Sequence, residues 1–368
     1  MDLVALLPPK DRQALFQEVA IRRGLSLAII EKDFWVCWTL RRVFELPSMG
    51  EHLIFKGGTS LSKVFGLIAR FSEDIDLSIR RDYLGAVGEN DPEQEGISGT
   101  RRGRRVEALR ERCRLAVRAE MLPALQTSFA AHLGAAAGAP AWRLDLDPGE
   151  EGTLLFTYPL SSSSLSPAPY SQPPLSEPAP PSAAGESPTA IPAYIRPQVK
   201  LEMGAGSDPF PVGRHSVRPY AAETFPDAFQ EPEAAVVALE AERTFWEKAT
   251  LIHAECHRPE DRPSPPRLSR HYYDLEQLAR SAVGERALAD AVLRERVVRH
   301  KSVYFVSGWA HYETARPGTF RLIPGEVRLA ELRRDYARMR EMFFAEVPSF
   351  DDLINSLRTA EERINQGV

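Results

Sequence analysis

The chain has 368 residues, 43% hydrophobic and 26% charged, an ordinary globular balance that implies two domains at roughly 150 residues each. A net charge of −5 excludes a protein that coats nucleic acid through bulk charge and leaves only local basic patches. Three cysteines with no CxxC pair, an N-terminus with neither a basic nor a long apolar run, and no apolar segment near the ~20 residues of a bilayer span predict reduced thiols, no signal peptide, no membrane partner and a cytoplasmic location.

Two helices open the chain. Residues 10–22 follow a Pro-Pro start. Residues 28–45 carry Ile29, Phe34, Trp35, Trp38, Leu40, Val43 and Phe44 on a broad apolar face. A strand-like run, Leu53-Ile54-Phe55, ends at Gly57-Gly58, and a helix is expected over residues 60–69. Ile75, Leu77 and Ile79 then alternate with Asp74, Asp76 and Ser78, the pattern of a strand with one polar face. Residues 101–118 read as a basic helix: eight arginines against Glu107 and Glu111 give a formal charge of +6, and Val106, Leu109, Cys113 and Val117 form its buried stripe. Strands are expected at residues 142–146 and 153–158. Between Ser161 and Ala193 lie nine prolines and nine serines, with only Glu177 and Glu186 charged. Such a tract cannot bury enough apolar surface to offset its ordering entropy, so it is expected to be disordered. A further strand at 198–203 follows, which makes the tract an insertion within a sheet. From about residue 233 the pattern is helical: 233–257, 269–281, 284–298, 324–346 and 350–365.

The strongest chemical signal is Phe55-Lys56-Gly57-Gly58-Thr59-Ser60 followed by Asp74-Ile75-Asp76-Leu77. Two glycines at a strand end let backbone approach a ligand closely. A helix starting at Thr59 or Ser60 would aim free N–H groups at the same place, which favours phosphate. Asp74 and Asp76, two apart on a strand, put both carboxylates on one side. Carboxylates beside a phosphate cradle suit Mg²⁺ held by protein oxygens and substrate phosphates. The plainer alternative is a turn followed by an ordinary surface strand.

Gly-Gly-Thr-Ser followed by Asp-x-Asp resembles the nucleotidyltransferase superfamily that includes DNA polymerase beta. More narrowly, the chain resembles the AbiEii/AbiGii toxin family of type IV toxin–antitoxin systems. The match rests on Phe55–Ser60, Phe71–Leu77, Ile195–Glu202, Glu242–Ala249 and Arg270–Leu275, and spans nearly all of the chain except the Ser/Pro tract. The resemblance implies an α+β fold, a nucleotidyltransferase-type mixed sheet with flanking helices in residues 1–220, and a C-terminal helical domain in residues 221–368. It implies transfer of nucleotides from an NTP, with Mg²⁺ or Mn²⁺, to an RNA acceptor, expected to be a tRNA 3′ end, so that translation is blocked, and a cognate antitoxin that need not touch the toxin.

The resemblance also implies site roles. Asp74 and Asp76 hold metal. Gly57, Gly58, Thr59 and Ser60 hold nucleotide. Lys248 contacts the triphosphate, and Asp274 orients it or the acceptor hydroxyl. Without the family, Lys248 reads as a snorkelling surface lysine and Asp274 as a carboxylate paired with Arg270. Glu202 is the candidate third carboxylate, since Lys200 and Glu202 share the polar face of their strand; the alternative is a solvated Lys/Glu pair. Arg101, Arg105 and Arg112 on the basic helix are candidate RNA contacts, against a solvated face or an acidic protein partner. Two other functions stay open: transfer of a nucleotide or phosphate to a protein hydroxyl, and a non-catalytic nucleotide-binding module. His253, Cys256 and His257 lack a second pair with zinc-site spacing. Gly204-Ala205-Gly206-Ser207 lacks the third glycine of a dinucleotide site. No P-loop sequence is present.

Overall fold

The computed structural model describes residues 1–134, 142–161, 196–206, 208–344 and 346–367. The fold is a seven-stranded mixed sheet with helices on both faces and a helical C-terminal part. Helices α1 (Asp2–Ala5), α2 (Pro9–Arg23) and α3 (Leu27–Phe44) precede β1 (Leu53–Lys56), α4 (Gly57–Lys63) and β2 (Asp74–Ile79). Next, α5 (Gly99–Ala116) runs through a π turn, Val117–Met121, into α6 (Leu122–Leu133). Four strands and a short helix follow: β3 (Arg143–Leu146), β4 (Thr153–Thr157), β5 (Gln198–Gly204), β6 (Val212–Val217), α7 (Tyr220–Thr224) and β7 (Ala234–Leu239). The C-terminal helices are α8 (Ala241–Cys256), α9 (Ser269–Ala279), α10 (Ala282–Ala289), α11 (Ala291–Tyr304), α12 (Glu326–Arg338) and α13 (Phe350–Gln366).

The strand order is β3-β4-β5-β2-β1-β7-β6. β1 is antiparallel to β2, which is parallel to β5; β5 and β4 are antiparallel. One sheet face carries Phe55, Ile75, Leu77, Leu154, Phe156, Val199 and Leu201, all but solvent-free. It is covered by α3, whose Trp35 and Trp38 rings meet Phe156 at 5.8 and 5.9 Å. The apolar runs read from the sequence are thus the wall of one core. A second core joins α8 to α13, and Leu61 and Ile68 reach into it from the α4 region.

Four predicted elements take a different form, one of them the helix expected at 324–346, which ends at Arg338 and leaves Phe343 to a β-bridge. Residues 233–257 were expected to be one helix, but Ala234–Leu239 is a strand between β1 and β6. A short apolar run with two adjacent valines has no period that separates strand from helix. The sheet therefore continues past residue 220, and the helical part begins at Ala241. The expected helix 284–298 is split, because Asp290 accepts the Leu293 N–H at 2.8 Å and so caps the start of α11. The helix expected at 60–69 starts at Gly57 and ends at Lys63, shortly before Gly66 at φ +62°.

Residues 64–73 form a loop stitched to the C-terminal part. The Phe71 N–H donates to Met342 O (2.6 Å), the Phe344 N–H donates to Ala69 O (2.9 Å), and Arg70 and Phe343 form a β-bridge. The Tyr273 hydroxyl accepts the Ala69 N–H at 3.3 Å.

Apart from Ser161, the Ser/Pro tract lies outside the described residues. Its flanks are close together, since Thr157 is the register partner of Gln198. Residues 158–197 therefore connect adjacent antiparallel strands. Deleting residues 162–189 is expected to keep the fold and NTP transfer, and to stabilise the chain by ~1 kcal/mol through cheaper loop closure. Thermal melts and a transfer assay check this; lost transfer with an unchanged melt would assign the tract a catalytic part.

Candidate active site

The second sheet face builds the site. Asp76 is in register with Lys56 on one side and Glu202 on the other, and Asp74 with Lys200. Residues paired in register point the same way, so Lys56, Asp74, Asp76, Lys200 and Glu202 form one row of charges. Burial raises Asp74 to about 6, with Glu73 and Glu202 adding repulsion. Burial also pushes Asp76 up; Lys56, Arg270 and Lys248 oppose this and Glu202 reinforces it.

Gly57 explains the glycine pair. It sits at φ +80°, and a Cβ there would lie 1.9 Å from Asp76 Oδ2. A Cβ on Gly58 would meet Arg70 Nη2 at 2.6 Å and Ser72 Oγ at 2.7 Å. Bare backbone is required at both. The Thr59 and Ser60 hydroxyls hold the turn together: Thr59 donates to Asp74 O at 2.5 Å and Ser60 to Gly57 O at 2.9 Å. The first turn of α4 has no side-chain cap, so its N–H groups are the donors suited to an anion.

Lys248 and Asp274 come together, but neither as a solvated charge. Lys248 is 7% exposed and Asp274 is fully buried, with Lys248 Nζ 2.8 Å from Asp274 Oδ2. The Arg270 partnership considered for Asp274 does not occur. Its partner is Arg70, bidentate through Nε–Oδ1 and Nη2–Oδ2, both 2.7 Å. Against the cost of burial, Arg70 and Lys248 hold the Asp274 carboxyl well below the usual carboxylate range. Burial lowers Lys248 against the pull of Asp274. One carboxylate thus pairs with two cations, Arg70 and Lys248. Arg70, 2% exposed, was missed by the sequence reading. Lys56 and Arg270 were missed as site residues too, although strand alternation places Lys56 beside Asp76.

Glu202 is opposite Asp76 in register, yet its carboxylate is paired with Lys200 at 2.7 Å, and Lys200 also reaches Glu150 at 2.6 Å. Among the described residues no three His, Cys, Asp or Glu side chains converge on a metal-sized gap. Asp74 and Asp76 nevertheless fit Mg²⁺, which is usually held by one or two carboxylates and completed by water and substrate phosphates. Two desolvated carboxylates under mutual repulsion are relieved by a cation, which is the same fit seen from the protein's side.

The basic helix is partly structural. Arg105 donates to Asp91 O and Gln94 Oε1, both at 2.7 Å, and Arg112 to Leu84 O and Gly85 O at 3.1 and 2.9 Å. Arg101 is exposed, with its backbone N–H held by the Ser98 cap. Arg105→Ala and Arg112→Ala are expected to cost about 1 kcal/mol each by freeing carbonyls of the 84–94 loop. Arg101→Ala is expected to leave the melting temperature unchanged and to lower the salt slope of RNA binding by about one. Chemical denaturation and RNA titrations at several salt concentrations check both; an unchanged slope removes Arg101 from any RNA surface.

Cys37 and Cys113 are buried as core residues. His253 accepts the Arg321 N–H through Nδ1 at 3.0 Å and lies 3.2 Å from His311 O through Nε2, a satisfied buried histidine. No described helix is long and apolar enough to cross a membrane.

No curated protein matches the chain significantly. Residues 38–356 match the family described as nucleotidyl transferase AbiEii toxin, type IV TA system, a span that contains every residue of the site built above.

Proposed function

The chain belongs to the AbiEii family of nucleotidyl transferase toxins of type IV toxin–antitoxin systems, and we propose that it transfers nucleotides from an NTP to a tRNA 3′ end in the cytoplasm, using Mg²⁺ or Mn²⁺. The observation that carries this reading is the Asp74–Asp76 pair beside the bare backbone of Gly57, with Lys56, Arg270 and Lys248 near Asp76. Asp74 and Asp76 would hold the metal. When bound, the ion neutralises triphosphate charge and makes the attacking hydroxyl more acidic. Gly57 and Gly58 let the Asp76 and Arg70 side chains close on the turn, and the N–H groups of that turn and the Lys248 ammonium bind the phosphates. Arg70 and Asp274 fix Lys248 in position. Glu202, already paired with Lys200, balances charge at the row's edge. The antitoxin of such a system need not bind the enzyme.

The test incubates the protein with Mg²⁺, each labelled NTP and total tRNA. Label in tRNA that is absent with Asp76→Ala supports the reading. Label in protein assigns a protein hydroxyl as acceptor, and no NTP binding or transfer by the wild type leaves a non-catalytic module.

A further inference from the structure

Beside the carboxylate row is a cleft of about 280 Å³ that no step above uses. It is lined by Leu109, Met203, Gly204 and Gly206, and by Tyr304 and Phe305 at the end of α11. Gly204 is the register partner of Ser78, two residues along β2 from Asp76, a distance of about 7 Å. The cleft and the carboxylates are therefore neighbours on one sheet face. Lys56 marks the junction: its Nζ lies 3.9 Å from where a Gly204 Cβ would be.

The two aromatic rings differ. Tyr304 is fixed, with its hydroxyl bonded to Arg81, its carbonyl accepting from Arg110 at 3.0 Å and its ring 4.6 Å from His300. Phe305 is 48% exposed, an uncovered large apolar side chain lining a concave site. Lys301 Nζ stands 4.2 Å over its ring. Lys301 also lies within electrostatic reach of Glu247, Lys56 and Lys248. Lys56 thus stands where the carboxylates meet the cleft and Lys301 at its aromatic platform, with Glu247 acting on both, and positions 204 and 206 carry no side chain.

We propose that this cleft binds a nucleobase, stacked at Phe305, of a nucleotide whose phosphate end lies beside Lys56, toward Asp76. The proposal rests on the nucleotidyltransferase reading and extends it to a base subsite. The shared ligand chemistry is a base linked through ribose to phosphate, supplied either by the incoming NTP or by the acceptor's terminal nucleotide. The short span from Asp76 to Gly204 is commensurate with that ribose. The bare glycine pair set aside as a dinucleotide motif becomes part of the lining of a base pocket.

The experiment measures equilibrium binding of each NTP and of tripolyphosphate, and the KM for tRNA, for wild type, Phe305→Ala and Gly204→Val. Removing the stacking ring is expected to weaken base binding about tenfold. Filling the cleft through Gly204→Val is expected to do the same, at a strand position where a Cβ has no contact closer than 3.8 Å. Tripolyphosphate affinity is expected to stay within twofold in Phe305→Ala, which separates base from phosphate contacts. Weakened NTP binding assigns the cleft to the incoming nucleotide; a raised tRNA KM with unchanged NTP binding assigns it to the acceptor. Wild-type transfer with both variants unchanged in every measurement overturns the base subsite and leaves the enzymatic reading standing. A wild type that neither binds NTP nor transfers overturns both.

Discussion

Asp76→Asn is expected to abolish nucleotide transfer and, at the same time, to raise the melting temperature of the metal-free protein. The loss should be at least on the order of 10²–10³-fold, as when one preorganised electrostatic group leaves an active site. The gain follows from the direction of the carboxyl shifts. Asp74 and Asp76 are both pushed above their ordinary values, Asp74 to about 6. A carboxylate whose folded pKa is raised binds its proton more tightly folded than unfolded. Stability therefore falls as pH rises through the ordinary carboxylate value, and the penalty is complete above the folded value. For Asp74, at about 6, it is nearly complete at pH 7. The amide has nearly the same shape and no charge, so the penalty disappears, with a rise of about 1–3 °C expected. Mg²⁺ should raise the melting temperature of the wild type and leave Asp76→Asn unmoved. Calorimetric melts with and without Mg²⁺, run beside the transfer assay, check all three. A variant that melts lower than wild type would show that Asp76 holds the fold together, and retained transfer would remove it from the reaction.

Asp274→Ala is the second large effect, and its cause is structural first. Arg70 and Lys248 are 2% and 7% exposed, and both turn to this one carboxylate. Its removal leaves two buried cations facing each other, a change expected to cost about 3–5 kcal/mol. Asp274→Asn keeps the shape and some of the hydrogen bonding and should cost less. The positioning role is separated from stability by kinetics at a temperature where Asp274→Asn remains folded. With Lys248 freed, the KM for NTP should rise more than kcat falls. Arg70→Lys, which keeps the charge and loses the bidentate fork, should show the same split more weakly. An unchanged melting temperature in Asp274→Ala would mean that the buried ion pairs contribute nothing. Equal losses in kcat and kcat/KM would place Asp274 on the reacting atoms rather than on Lys248.

What was legible in the sequence was what a short-range pattern can carry. Asp74 and Asp76 share a face because strand side chains alternate, and that follows from two residues of spacing. The glycine pair announced a close approach, although the group it approaches, the Asp76 carboxylate, could not be read from the turn. Arg70 was invisible because its partner Asp274 is 204 positions away. A lone arginine between Ala69 and Phe71 carries no local mark of burial. β7 was read as helix because six small and branched apolar residues fit either period until the sheet claims them. Arg105 and Arg112 were read as part of a charge patch, while the carbonyls that they reach belong to a loop whose path the sequence does not state. Family resemblance brought Lys248 and Asp274 to one site; distance and burial then showed that the carboxylate holds the lysine.

The stitch between residues 69–71 and 342–344 joins segments that are made at very different times. During synthesis, residues 56–76 leave the ribosome long before residues 342–344 have been made. Until then Arg70 has no partner strand to lie against. Asp274 and Lys248 also come late, so a nascent chain displays both aspartates beside an unfinished phosphate site.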